Sequence, residues 1–238
     1  MIYLKMIALD VESKFIQPSI EILNLRIDEP ITVLTDLLIA IICFYAFFRI
    51  RRIEYMGRVK WYFKYYFLML GLGTACAGIF GHAFQYRLSE EWKLLPWVLT
   101  LGSVALIAHA LVEVAKPLVR PGIFRFISLF NMLVFIIALF FTMWTLAFSP
   151  VKYYTIYGML VVVGSFSYYI FRRTGSRGML FLLAAVVVGF FASLIFSYQW
   201  GLSPWFNHKD ISHVILSFSV ISFYKGAALI MDGSVIGP

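Results

Sequence analysis

The stretch ITVLTDLLIAIICFYAFFRI, residues 31–50, decides the fold. It holds one carboxylate, Asp36, and one arginine, Arg49, and as a helix it is long enough to cross a hydrocarbon layer of about 30 Å. Six further apolar runs follow, near 62–84, 95–115, 124–148, 152–171, 178–199 and 211–231, divided by charged or Pro/Gly punctuation. The composition agrees, with 62% apolar, 18% aromatic and 13% charged residues and a mean hydropathy of +0.88. Such a chain cannot wet its own surface in water. The reading is an all-α integral membrane bundle of seven transmembrane helices over 31–238, preceded by an extramembrane segment over 1–30. Cys43 and Cys76 both lie in apolar runs, where a thiol acts as a small hydrophobe and no disulfide framework is expected. The first residues lack a basic flank, long apolar core and small-residue cleavage site, so the first span is expected to serve as the insertion signal.

Charge sets the expected orientation. The first, third and fifth connections, with Lys225 near the end of the last span, carry thirteen of the twenty basic residues. The N-terminal segment, the start of the first span and the even connections hold nine of the twelve acidic ones. The excess of Lys and Arg on one side predicts an outer N-terminus and a cytoplasmic C-terminus. The formal net charge of +8 then reflects topology and attraction to an anionic leaflet, and nucleic acid is not an expected partner. Short loops and the absence of targeting tails point to a bacterial cytoplasmic membrane.

Ionisable side chains inside spans cost a few kcal/mol to insert and mark candidate sites. His82 closes the second span, while His208 and His213 open the seventh in NHKDISH, residues 207–213. Antiparallel spans bring all three to the outer face, with Asp36 of the first span and Glu90 and Glu91 of the third at similar depth. Imidazoles with carboxylates make an N/O donor set suited to Zn²⁺ with an open position for water. Asp210 and His213, three apart, share a helical face, but His208 and His213 stand about 140° apart on an ideal helix. His208 is therefore expected to precede the helix proper, and Asp210 is read as either a proton-handling group or an N-cap or first-turn residue. His109 and Glu113, four apart in the third span, read as a polar pair rather than a second metal site. Lys225 in a seventh span invites a retinal Schiff base, but the third span has no aspartate counter-ion, and snorkelling to the interface is the expected role. The N-terminal carboxylates Asp10, Glu12, Glu21, Asp28 and Glu29 are read as solvated, with a Ca²⁺ site of oxygen ligands as the alternative. Residues 1–30 are expected to hold a short amphipathic helix and a turn at Pro30.

Seven spans, a histidine closing the second and two opening the seventh resemble the superfamily of alkaline ceramidases, adiponectin receptors and related lipid-remodelling hydrolases. EPITVLTDLLIAIICFYAFF (29–48) and FNHKDISHVILSFSVISFYKG (206–226) are similar to a bacterial branch of membrane proteins. The resemblance implies that His82, His208 and His213 bind zinc, that a lipid substrate enters between helices, and that calcium sits on an acidic N-terminal segment. The family's histidine pair on the seventh helix is separated by three residues, but here four intervene, with Lys209 at the expected position. The family's serine one turn before the second-helix histidine is Gly78 here, which leaves Thr74 or Thr35 as alternative hydroxyls. For the proton-handling carboxylate the order of choice is Asp210, Asp36, then Glu91. The functional expectation is a zinc-dependent hydrolase of a lipid amide or ester, ceramidase-like by resemblance. The alternative is a non-enzymatic receptor, sensor or solute or proton carrier using the outer histidines.

Overall fold

The computed structural model describes residues 17–233. Seven helices in it are long and apolar enough to cross a membrane: α1 Pro30–Arg51, α2 Arg58–Ala83, α3 Glu90–Leu118, α4 Pro121–Thr145, α5 Ser149–Thr174, α6 Arg177–Ser197 and α7 His208–Met231. Their ends follow local chemistry. Pro30 and Pro121 stand at the start of α1 and α4, where a missing N–H costs nothing. Gly175, at φ 67°, stops α5 in the left-handed conformation. Asn207 and Asp210 cap α7 reciprocally, side chain to backbone.

Before α1, the expected amphipathic helix is replaced over residues 20–27 by a hairpin of strands β1 Ile20–Ile22 and β2 Leu25–Ile27, paired Ile20 to Ile27 and Ile22 to Leu25. Ile20, Ile22, Leu25 and Ile27 alternate with polar neighbours in the period of a strand. Leu23 and Asn24 both take positive φ in the two-residue turn, the mirror-type geometry that matches strand twist. The hairpin is fastened to the end of α2 by Asp28 N–H donating to the Ala83 carbonyl at 3.1 Å and Tyr86 Oη donating to the Arg26 carbonyl at 2.9 Å.

In the bundle α1 packs against both α2 and α7, α2 against α3, and α6 most extensively against α7. Helix α3 is the most enclosed, with 61% of its most apolar stretch buried, and α4 the least, with 17%. A core of Cys43, Phe63, Tyr66, Phe67, Ile107, Leu111, Leu182 and Phe223 joins α1, α2, α3, α6 and α7. The α6–α7 crossing is closest at Gly178 and Gly226. A Cβ on Gly178 would stand 2.9 Å from the Gly226 carbonyl oxygen, and one on Gly226 would stand 2.8 Å from that of Gly178. Small residues are what let helices approach where lipid offers no hydrophobic drive. Two helices carry π-helical stretches, Ala77–Ala83 in α2 and Tyr157–Gly164 in α5. The cysteines, Cys43 and Cys76, are both free.

Candidate functional site

The chain's polar residues gather where α1 and α7 begin and α2 ends. Glu29 precedes Pro30 in the left-handed region, at φ 45° and ψ 52°, a conformation that is uncommon for a residue with a side chain and often held at functional positions. Its carboxylate makes no cap bond to α1. It turns to α2 and α7: Oε2 lies 2.5 Å from His82 Nδ1, and Lys209 Nζ donates to both oxygens at 2.7 and 2.9 Å. Burial pushes the Glu29 carboxyl upward, but the hydrogen bond and charge of His82 and the Lys209 ammonium outweigh it and hold the group at about 2. Glu29 is thus an acceptor, so His82 Nδ1 carries the shared hydrogen, and in the tautomer that holds its one hydrogen there Nε2 is a lone pair.

That lone pair faces Asp36. The His82 Nε2 to Asp36 Oδ2 separation is 3.8 Å, and Asp36 Oδ1 lies 3.5 Å from His213 Nδ1. Asp36 is 3% exposed, and its Oδ2 is buried without a hydrogen-bond partner among the described residues. A buried polar atom left unmatched asks for an explanation, an unplaced ion among them. Adjacent ligands of a tetrahedral zinc, bonded at about 2.0–2.2 Å, stand roughly 3.3–3.6 Å apart. The His213 edge falls in that range and the His82 edge slightly beyond it. Among the described residues no three His, Cys, Asp or Glu side chains already stand in ligating geometry. The two histidines face different oxygens of Asp36, His82 toward Oδ2 and His213 toward Oδ1. The hydrogen bond from His82 to Glu29 is the outer-shell contact that ligating histidines usually make. By chemistry alone, two imidazoles and a carboxylate are donors of the N/O class.

Two local features produce this convergence. His82 rides on the π-helical stretch of α2, a geometry that recurs at functional sites because it redirects side chains. Gly78 lets α1 and α2 touch, since a Cβ there would stand 3.1 Å from Asp36 Cβ. A serine hydroxyl at 78 would press on Asp36. Of the two alternative hydroxyls, Thr35 Oγ1 is at the site, 3.1 Å from His213 Nδ1, whereas Thr74 donates back into its own helix to Leu70.

Three expected site residues stand elsewhere. His208 belongs to the first turn of α7, not to the loop before it, so its roughly 140° offset from His213 is realised. Its ring lies 5.5 Å from that of Phe196 on α6, and its Nδ1 is buried without a hydrogen-bond partner. Asp210 is a structural clasp: Oδ2 accepts from Asn207 N–H at 2.7 Å and Gln17 Nε2 at 3.0 Å, and Oδ1 from Thr32 Oγ1 at 2.7 Å. With both oxygens engaged and no exposure, it is not free to move a proton. Glu91 is exposed in the first turn of α3, and its neighbour Glu90 is the one that reaches the cavity described below. Asp36 alone of the three candidate carboxylates meets the histidines.

The remaining polar residues are engaged apart from this group. His109 Nδ1 pairs with the Ala105 carbonyl and Glu113 with Lys116, so the two do not pair with each other. Lys225 lies 5.9 Å from the Phe181 ring centre. Of the acidic N-terminal residues, Asp28 is held by Arg26 in a two-pronged ion pair and Glu29 by Lys209, while Asp10 and Glu12 lie outside the described residues. Sequence reasoning missed Glu29, Lys209 and Gln17. The side chain of Gln17 bonds both Asp210 and the free N–H groups of Ile31 and Thr32 at the start of α1.

Beside His82 opens a cavity of about 630 Å³. His82, Glu29 and Lys209 line it together with Tyr86, Glu90 and Lys93 from the α2–α3 connection and the start of α3. No curated protein and no solved structure matches the chain. A family model does match, over residues 31–232, which take in all but the first residue of the seven helices, and the chain belongs to that family, described as a family of unknown function (DUF6962).

Proposed function

We propose that the protein is a zinc-dependent hydrolase of a lipid amide or ester, embedded in a bacterial cytoplasmic membrane with its N-terminus outside. One observation carries the reading: the unmatched buried oxygen of Asp36, 3.8 Å from the lone pair of a histidine whose other nitrogen is fixed by a carboxylate. The orientation rests on the basic residues concentrated at the opposite end of the bundle.

His82, His213 and Asp36 would hold the ion. When bound, zinc supplies Lewis-acid polarisation of a carbonyl and acidification of water. The chain supplies orientation. Glu29 holds the His82 Nδ1 proton and Lys209 holds Glu29, while His213 would exchange the contact of its Nδ1 with Thr35 Oγ1 for the ion. Asp36 would also be the proton-handling carboxylate, because it meets both histidines while Glu29 and Asp210 have both of their oxygens engaged by hydrogen bonds.

Metal analysis of the detergent-purified chain tests this. About one zinc per chain, lost in His82→Ala and His213→Ala but kept in His208→Ala, is expected, with release of fatty acid from lipid amides or esters by the loaded wild type. A metal-free wild type prepared without chelators would overturn the hydrolase and favour a receptor or carrier. Glu29→Gln is expected to weaken zinc affinity by about 10–100-fold in competition with a chromogenic chelator, because it removes an outer-shell charge without touching a ligand.

A further inference from the structure

We propose that the cavity beside His82 is a head-group site for a lipid carrying both a phosphate and an ammonium; the inference rests on the hydrolase reading for the bound lipid being substrate. The wall chemistry of the cavity is its basis. About 630 Å³ is the size of a small-molecule site. Its charged lining comprises three carboxylates, Asp28, Glu29 and Glu90, and two ammonium groups, Lys93 and Lys209. An acyl chain laid against these groups would strip their water and return no hydrogen bond, so the cavity suits the polar end of a lipid.

The pairing within the wall says which polar end. Asp28 is taken by Arg26 through two hydrogen bonds at 2.6 and 3.1 Å, and Glu29 is taken by His82 and Lys209. Among the described residues Lys93 pairs with Glu90 at 2.6 Å and Glu90 also accepts from Gln85 at 3.3 Å, and the two are 31% and 72% exposed. Exposed ion pairs of this kind contribute little and exchange partners readily. Lys209 spends two of its three donors on Glu29. A phosphate between Lys93 and Lys209, with an ammonium on the Glu90 carboxylate it releases, leaves every charge matched. A purely anionic head group would leave Glu90 without its lysine in a wall already richer in carboxylates. A neutral glycerol head has no group that repays opening the Lys93–Glu90 pair. Because His82 lies on the same wall, a lipid held by this head group has its glycerol esters or amide next to the His82–Asp36 group.

The test is native mass spectrometry of the full-length protein in a non-ionic detergent, offered equimolar dihexanoyl phosphatidylethanolamine, dihexanoyl phosphatidic acid and dihexanoylglycerol. Phosphatidylethanolamine is expected to be retained at least about tenfold over the other two, the worth of one charge-assisted contact. Lys93→Gln and Glu90→Gln should each erase that margin, and the reversed pair Glu90→Lys with Lys93→Glu should restore part of it, which separates lost binding from lost folding. Equal retention of dihexanoylglycerol, preference for phosphatidic acid, or indifference to all three variants would overturn the head-group site. Acyl release measured on the same samples separates the two readings. Selective retention without release by the zinc-loaded wild type removes the hydrolase and leaves the site standing, whereas release without selectivity removes the site and leaves the hydrolase.

Discussion

Asp36→Ala is expected to lower lipid hydrolysis on the order of a thousandfold, equivalent to about 4 kcal/mol of transition-state stabilisation, while the helical fold survives. Asp36 sits between His82 and His213, so its removal takes away a ligand and the proton acceptor together. In the ion-free protein the substitution removes the unmatched Oδ2, which relieves the structure, and with it the 3.5 Å contact of Oδ1 with His213, which works the other way. The thermal midpoint without zinc should therefore change little. The increase in midpoint that added zinc gives the wild type, a direct consequence of ligand binding to the folded state, should vanish in Asp36→Ala. A variant that still responds to zinc as the wild type does would remove Asp36 from the metal group, whatever its activity.

The second large effect is on stability and falls at a neighbouring carboxylate. Asp210→Ala leaves three donors without their acceptor in a fully buried setting: Asn207 N–H, Gln17 Nε2 and Thr32 Oγ1. Orphaned buried donors cost about 1–3 kcal/mol each, and water will reach some of them, so about 3–5 kcal/mol is expected. For a chain of this length that lowers the midpoint on the order of 10 °C. Asp210→Asn keeps an acceptor at Oδ1 and should recover a substantial part. If Asp210 were the proton-handling group, both variants would instead lose turnover at an unchanged midpoint, and that result would reverse the assignments of Asp36 and Asp210.

The contrast between these two carboxylates shows where sequence reasoning reached and where it stopped. The seven spans were legible because length and hydropathy determine them, and α1, expected over 31–50, runs Pro30–Arg51. Alternating direction was enough to bring His82, His213 and Asp36 to one end. The direction of each side chain was not legible. His208 was expected ahead of the helix, but Asn207 and Asp210 stand at the spacing of a reciprocal cap, which starts α7 at His208 and turns that ring toward Phe196. The cap itself was the available signal. Glu29 gave no local signal: its role depends on a left-handed backbone before Pro30 and on contacts to residues 53 and 180 positions away. The π-helical stretch under His82 likewise has no counterpart in composition.

That stretch makes α2 a helix with a counting offset. A π turn accommodates one residue more than an α turn, so the seven residues Ala77–Ala83 shift everything after them relative to the regular spiral that begins at Arg58. Removing any one of the residues between Cys76 and His82 would let the backbone relax into an unbroken α-helix, apolar and long enough to insert as before. The lost residue and the lost offset would cancel, so His82 would keep its direction toward Asp36, whereas straightening the stretch at full length would turn its ring by about 100°. In this helix a substitution that forces Ala77–Ala83 into regular α geometry without a deletion is silent to the membrane and decisive for the chemistry, because the span survives while His82 leaves Asp36.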